Sequence, residues 1–182
     1  MDEQKERSSE ISSEKLDGTG KIMTIIAWII AIGFVTWFFT GVQDRQHNPN
    51  YSPQSSRDQN TVKVELIRNK YGHYVTNGKI DGKDVVFMLD TGATDIAIPG
   101  ALEKKLNLTR GYSFKVHTAN GTAIAYLTEI EYIQIGEIVL RNVRASISPS
   151  MLGEDILLGM SALKQIEFRQ KGDRLTLIQE VN

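Results

Sequence analysis

The sequence predicts an all-β domain, a small closed barrel or sandwich with one or two short helices, carried behind a single transmembrane helix. Three observations carry that expectation. From Thr61 onward, apolar residues recur in short runs at strand spacing. The runs are separated by two-residue turn strings, Asp81-Gly82, Asn120-Gly121, Gly136-Glu137 and Gly172-Asp173. Ahead of them, Ile22 to Val42 gives 21 residues without a charge. The stretch from Thr61 to Asn182, about 120 residues, can hold one core but not two lobes.

Composition narrows the chemistry. The chain has 182 residues, is 41% hydrophobic and 24% charged, and carries a net charge of -1. That is ordinary globular composition, with no basic stripe or aromatic platform, so no nucleic-acid partner is expected. Zero cysteines remove disulfides, thiolate nucleophiles and Cys-based zinc sites together. His47, His73 and His117 show no metal-ligand spacing, and no Gly-x-Ser-x-Gly string supplies a serine nucleophile. No metal and no cofactor is expected.

Met1 to Lys21 is polar, with four Lys/Arg set against six acids, and reads as a disordered tail. As a helix, Ile22 to Val42 spans about 31 Å, enough for a hydrocarbon core of about 30 Å. A cleaved signal peptide is the plainer alternative, but its apolar core is usually shorter and no small-x-small site follows Phe39. Trp37, Phe38 and Phe39 suit an interfacial belt. The N-terminal flank carries Lys5, Arg7, Lys15 and Lys21, whereas Gln43 to Asn60 carries Arg45 and Arg57. The positive-inside rule then puts the N-terminus in the cytoplasm and the C-terminal domain outside it. Gln43 to Asn60, with two prolines and almost nothing apolar, reads as a flexible linker of roughly 20 to 25 Å. The expected domains are thus 1–21, 22–42, 43–60 and 61–182.

Within the last of these, Val62, Val64 and Leu66 alternate with polar residues, and Tyr74 to Ile80 and Val85 to Leu89 flank Asp81-Gly82 as a hairpin. Ala101 to Leu108 reads as a short helix with Leu102 and Leu106 on one face. Two strand-like runs between Phe114 and Leu127 meet at Asn120-Gly121; strands through Ile130 to Ile135 and Val139 to Ile147 follow, then a helix after Gly159 and a last hairpin from Ile166 to Ile178.

The chain is organised around Asp90. Five apolar residues, Val85 to Leu89, run into it and read as a strand buried on both faces, which brings a carboxylate to the edge of a core. Such an acid needs donors or a shared proton, and Thr91-Gly92 offers a hydroxyl and a flexible backbone. By composition alone, a strand end with an Asp-initiated turn is the plainer reading, since Asp-Thr-Gly is an ordinary turn string.

Asp90-Thr91-Gly92-Ala93, the apolar strands on either side, and the later Ile156-Leu157-Leu158-Gly159 together resemble the retropepsin-like (clan AA) aspartic proteases. Ala119-Asn120-Gly121 and Leu158-Gly159-Met160-Ser161 resemble the small membrane-anchored branch found in proteobacteria. The likeness covers about Val62 to Ile178 and implies an inner-membrane, single-pass protein with a periplasmic domain.

Carboxylate-driven peptide hydrolysis needs two acids sharing one proton, since like charges about 3 Å apart cannot both ionise; aspartic proteases are a standard instance. This chain has one Asp-Thr-Gly, and neither Asp84 nor Asp95 precedes a Gly turn. The resemblance therefore implies a homodimer with Asp90 as the catalytic acid of each copy, acting on a peptide or protein substrate. It further implies an active-site loop of Thr91, Gly92, Ala93 and Thr94, with Thr91 bracing the dimer, Gly92 giving an amide to the carboxylates and Ala93 lining the floor. The flap would be tipped by Ala119, Asn120 and Gly121, and the supporting strand would be Leu157, Leu158 and Gly159. Solvated-hairpin and helix-cap readings of the last two features need no function. A non-catalytic peptide-binding or envelope-interaction domain is the alternative.

Overall fold

Helix α1 occupies Glu3–His47 in the computed structural model, which describes residues 3–118 and 121–181. The chain divides into two units, one ending at Asp44 and one beginning at Arg45. In the first, the side chains of Ile22, Met23, Trp28, Ile30, Phe34 and Trp37 are all exposed, so the helix shows apolar surface on every side. A helix hydrophobic all round is unstable in water and suits a core or a bilayer. Its stretch Gly20–His47 is long and apolar enough to cross a membrane. Inside it the hydroxyls of Thr24, Thr36 and Thr40 donate to the carbonyls of Gly20, Ile32 and Thr36 at 2.8 to 2.9 Å, which leaves those polar groups satisfied without water. The backbone is already helical at Glu3, where the sequence suggests an unstructured tail. Glu, Lys and Gln are good helix formers, and extending a formed helix costs far less than starting one.

The second unit holds eleven strands: β1 (Gln54–Asp58), β2 (Thr61–Ile67), β3 (Tyr74–Ile80), β4 (Lys83–Leu89), β5 (Ile96–Pro99), β6 (Ser113–Thr118), β7 (Gly121–Ile135), β8 (Ile138–Ser148), β9 (Asp155–Leu158), β10 (Glu167–Lys171) and β11 (Arg174–Glu180). A 3-10 turn (Gly100–Leu102), helix α2 (Glu103–Leu106) and helix α3 (Met160–Leu163) complete it. The larger sheet runs β3-β4-β9-β5-β8-β7-β6, and β3 also pairs with β7, so six strands close a barrel and β6 extends from its rim. The smaller sheet runs β1-β2-β11-β10. Phe87, Ile96, Ile98, Ile130, Ile133, Ile156 and Leu158 from the barrel share one core with Val64, Leu66 and Leu177 from the smaller sheet. Each large side chain fully buried there contributes about 1.5 to 3 kcal/mol relative to an exposed one.

Local chemistry sets the turns. Asp81 and Gly82 both have positive φ, 47° and 80°, the paired left-handed conformation that matches strand twist in a two-residue hairpin. The helix expected over 101–108 is split into the 3-10 turn and α2, buries Leu102 and Leu106, and stops at Asn107, whose φ of 56° and ψ of 37° are left-handed.

Two expectations are corrected. The strand before Asp90 is not buried on both faces: Val85 and Phe87 are buried, while Val86, Met88 and Leu89 are half-buried. The 43–60 segment is not a flexible linker. Gln43 to His47 belong to α1, and β1 pairs with β2 from Gln54↔Glu65 to Asp58↔Thr61. Asn48 and Asn50 are buried. The Asn50 amide donates to Ile67 O (2.9 Å) and Val75 O (2.7 Å), and its carbonyl accepts from Ile67 N–H (2.7 Å), so one polar side chain bridges β2 and β3. His47 Nε2 lies 2.7 Å from Asp155 Oδ2 at the start of β9. The folded unit therefore begins at Arg45 rather than Thr61.

Candidate active site

Strand β9 lies between β4, with which it is parallel, and β5, with which it is antiparallel. The chain leaving β4 at Leu89 must therefore arch over the end of β9 to reach Ile96. Residues 90–95 are that arch. Hydrogen bonds from β9 and α3 fasten it along its length: Asp90 N–H donates to Leu158 O (3.2 Å), Met160 N–H to Ala93 O (2.8 Å) and Ser161 N–H to Thr94 O (2.9 Å). Within the arch, Ala93 N–H donates to Asp90 O at 3.2 Å.

Gly159 is the point over which the arch turns. Its φ of -87° is one that any residue adopts, so dihedral freedom is not why glycine stands there. Proximity is. A Cβ at this position would lie 2.2 Å from Asp95 O and 2.7 Å from Ala93 O, both backbone atoms. The late Leu157-Leu158-Gly159 thus passes directly beneath the Asp90 arch, with Leu158 buried and Leu157 half-buried opposite Met88.

The Asp90 carboxylate is half-buried, and its Oδ1 accepts the Gly92 N–H at 2.8 Å. This backbone donor fixes the side chain while leaving the second oxygen for other partners. A Cβ on Gly92 would come within 3.1 Å of the same Oδ1, so glycine permits the close approach. Thr91, Gly92 and Thr94 are exposed and Ala93 is half-buried. Neither of the two acids nearest in sequence is placed to pair with Asp90 within one chain. Asp84 lies toward the opposite end of β4, 3.6 Å from Lys79 Nζ. Asp95 is held by Arg144, with Nη2 at 2.8 Å and Nε at 2.9 Å from its Oδ1. That hydrogen bond, and then the Asp95 charge, raises the Arg144 guanidinium above its ordinary value, so the pair's cation persists at any pH at which a carboxylate works.

Strands β6 and β7 form the hairpin expected as a flap, with Thr118 paired to Gly121. Ala119 and Asn120 lie outside the described residues; Gly121 has a φ of 110°. The hairpin carries Ile124 exposed and Val116 half-buried. A cleft of about 420 Å³ lies elsewhere, between Arg110, Leu127, Glu129, Asn142 and Arg144, and Asp90 is not part of it.

The sequence places Ser161 in the Leu158-Gly159-Met160-Ser161 string but does not reveal its part in fixing the arch. Ser161 is buried; its hydroxyl accepts from Ile96 N–H (3.1 Å) and donates to Arg144 O (2.8 Å), which joins α3, β5 and β8 beside the arch. Neither periodicity nor the motif says that this serine would bond to two strands. Its adjacency to Gly159-Met160 is the only signal it gives.

Comparison with known proteins adds to this geometry. The family described as "gag-polyprotein putative aspartyl protease" matches residues 76–165, a span that runs from β3 past α3 and contains the whole arch. A Sinorhizobium sp protein, described as an uncharacterized protein in the cobV 5'region, is 35% identical over 126 residues, 67% of this chain. The chain spans about half, 53%, of that relative's length. A crystal structure of a retropepsin-like aspartic protease from Rickettsia conorii superposes with a TM-score of 0.56 and 26% identity, covering 72% of this chain and 97% of that one.

Proposed function

Because the chain belongs to the retropepsin-like aspartic proteases, we propose that it is a membrane-anchored endopeptidase whose dyad consists of Asp90 from two copies. The observation that carries this reading is the Asp90 carboxylate itself, oriented by the Gly92 amide on an arch fastened to β9, with Asp95 held by Arg144 and Asp84 at the far end of β4. One copy supplies half a site. A second copy related by a two-fold axis would set the two carboxylates face to face, where they hold one proton between them and titrate as a unit. The ionised member takes a proton from water as the protonated member polarises the scissile carbonyl. Thr91, exposed beside Asp90, would brace the two arches, Ala93 would line the floor, and the β6–β7 hairpin would close over an extended peptide and exclude water. The helix from Gly20 would anchor each copy in the inner membrane with the N-terminus cytoplasmic and the protease domain periplasmic.

Asp90→Asn with a dilution series tests this. The amide oxygen of Asn can still accept the Gly92 N–H, so melting and dimerisation should stay near wild type while peptide hydrolysis is lost. Wild-type turnover per chain should fall on dilution, because monomers hold half a site. Retained hydrolysis in Asp90→Asn, or full specific activity in a demonstrated monomer, would contradict the dyad. Unchanged peptide binding by a wild type that never cleaves would instead favour a binding domain.

A further inference from the structure

The folded unit begins almost where the apolar span ends. Between Val42 and Asn48 stand only the five residues Gln43 to His47, which even fully extended keep His47 within about 16 to 18 Å of Val42. The headgroup layer of one leaflet is roughly 5 to 7 Å deep, taking the whole bilayer less its hydrocarbon core. Residues 46 and 47 therefore stay within a short reach of that layer, and both are bonded into the β-domain. His47 reaches Asp155, its carbonyl accepts the Asn69 amide at 2.8 Å, and Gln46 Oε1 accepts from Lys70 Nζ.

Those bonds bring the β2–β3 loop, residues 68–73, beside residues 46 and 47. Lys70, Tyr71 and His73 in it are exposed, Tyr71 at 59% and with Lys70 Nζ 4.9 Å from its ring centre. Tyr51, just beyond the buried Asn50, is 76% exposed, and Arg45 is exposed as well. Asp155 is engaged by His47, and Glu154, also exposed, is the acid next to it. Exposed tyrosines beside Lys and Arg are the side chains that settle at a membrane interface, rings among the headgroups and cations toward anionic lipid.

We propose that residues 45–51 and the 68–73 loop form a collar that seats the β-domain on the anionic headgroups of the bilayer. The inference rests on the membrane-anchored reading above. Its consequence is for substrate. The collar is pinned at Asp155, and the Asp90 arch lies about 10 Å away along β9. A seated domain therefore holds its site close to the lipid surface and takes extended segments presented there, such as the juxtamembrane stretches of other membrane proteins.

The chain has no cysteine, so single labels are straightforward. Tyr71→Cys labels the collar. Gln59→Cys labels the exposed β1–β2 turn, about 20 Å along β2 from Ile67, whose N–H is bonded to Asn50. Full-length protein carrying either fluorophore is reconstituted in equimolar phosphatidylcholine and phosphatidylglycerol vesicles with a headgroup-attached quencher, and its resistance to carbonate extraction is measured on the same sample. We expect retention in the membrane and several-fold stronger quenching at 71 than at 59, reduced by Lys70→Glu or by omitting phosphatidylglycerol. Retention with equal quenching at both positions overturns the collar and leaves the anchor standing. Extraction by carbonate overturns the anchor and the collar with it.

Discussion

A methyl group added at Gly159 isolates the contact on which the candidate site depends. The substituted Cβ would lie 2.2 Å from Asp95 O, 2.7 Å from Ala93 O and 2.8 Å from Asp95 C. Backbone cannot rotate away as a side-chain tip can, so the arch must lift by about 1 Å to restore van der Waals contact. Overpacking of this kind costs typically 1 to 3 kcal/mol. The same shift stretches Met160 N–H to Ala93 O and Ser161 N–H to Thr94 O, now 2.8 and 2.9 Å, each contributing about 0.5 to 1.5 kcal/mol. Because the alanine φ is allowed, no dihedral strain is added, and the expected loss for Gly159→Ala is about 3 kcal/mol, or roughly a 10 °C fall in Tm. A 1 Å displacement of Asp90 should lower turnover by about 100-fold in whatever protein remains folded. Both tryptophans, Trp28 and Trp37, lie in α1, so melting is followed by far-UV or tyrosine near-UV dichroism rather than by tryptophan fluorescence. Gly153→Ala is the contrast. There φ is 86° with open space around the Cβ, so the expected cost is the left-handed penalty of about 1 to 2 kcal/mol without loss of turnover per folded chain. If Gly159→Ala melts with wild type and turns over at the wild-type rate, the account of the arch is wrong.

Two further outcomes follow from the same structure. Asn50→Ala removes three hydrogen bonds to backbone groups that lie near or within the core, and should destabilise the domain by about 2 to 4 kcal/mol in urea titration; a change below about 0.5 kcal/mol would mean that 48–58 can detach from the fold. Peptide hydrolysis should rise as pH falls below neutral and be indifferent to EDTA, because a dyad sharing one proton works only while that proton is held and calls for no metal; a rate climbing steadily to alkaline pH would rule it out.

The parts of this fold that could be read from the sequence are those whose cause is local. Alternation at Val62, Val64 and Leu66 becomes β2 with those three side chains buried, and Asp81-Gly82 becomes the hairpin that its dihedral tolerance allows. The candidate site was legible to the extent that it is a motif. Asp90, Gly92 and Gly159 stand together, but the reason for Gly159 is a backbone carbonyl 64 positions earlier in the chain (159 against 95), which no local pattern records. Val86 and Met88 read as core because an apolar run does not say which face a neighbour covers. In one chain they are half-buried.

The segment from Gln43 to Asn60 is the instructive failure. Its composition reads as a tether because a stretch without apolar residues buries too little surface to offset its ordering entropy. That test counts only one source of stability. Asn50 carries both a donor pair and an acceptor on a short side chain, so it can stand in for a missing strand where β2 and β3 diverge: it satisfies Ile67 N–H, Ile67 O and Val75 O at once. Its own backbone is also used, Asn50 O accepting from Asn77 N–H and Asn50 N–H donating to Asn48 Oδ1. Ordering this segment is offset by groups that would otherwise be buried unpaired, and nothing in its composition announces those groups because they belong to β2 and β3. The difference reaches function through geometry. A coil of 18 residues would let the domain wander, and only its mean reach would matter. A segment bonded at His47, Asn48 and Asn50 is instead held to β3 and β9, and β9 is the strand over which the Asp90 arch is built.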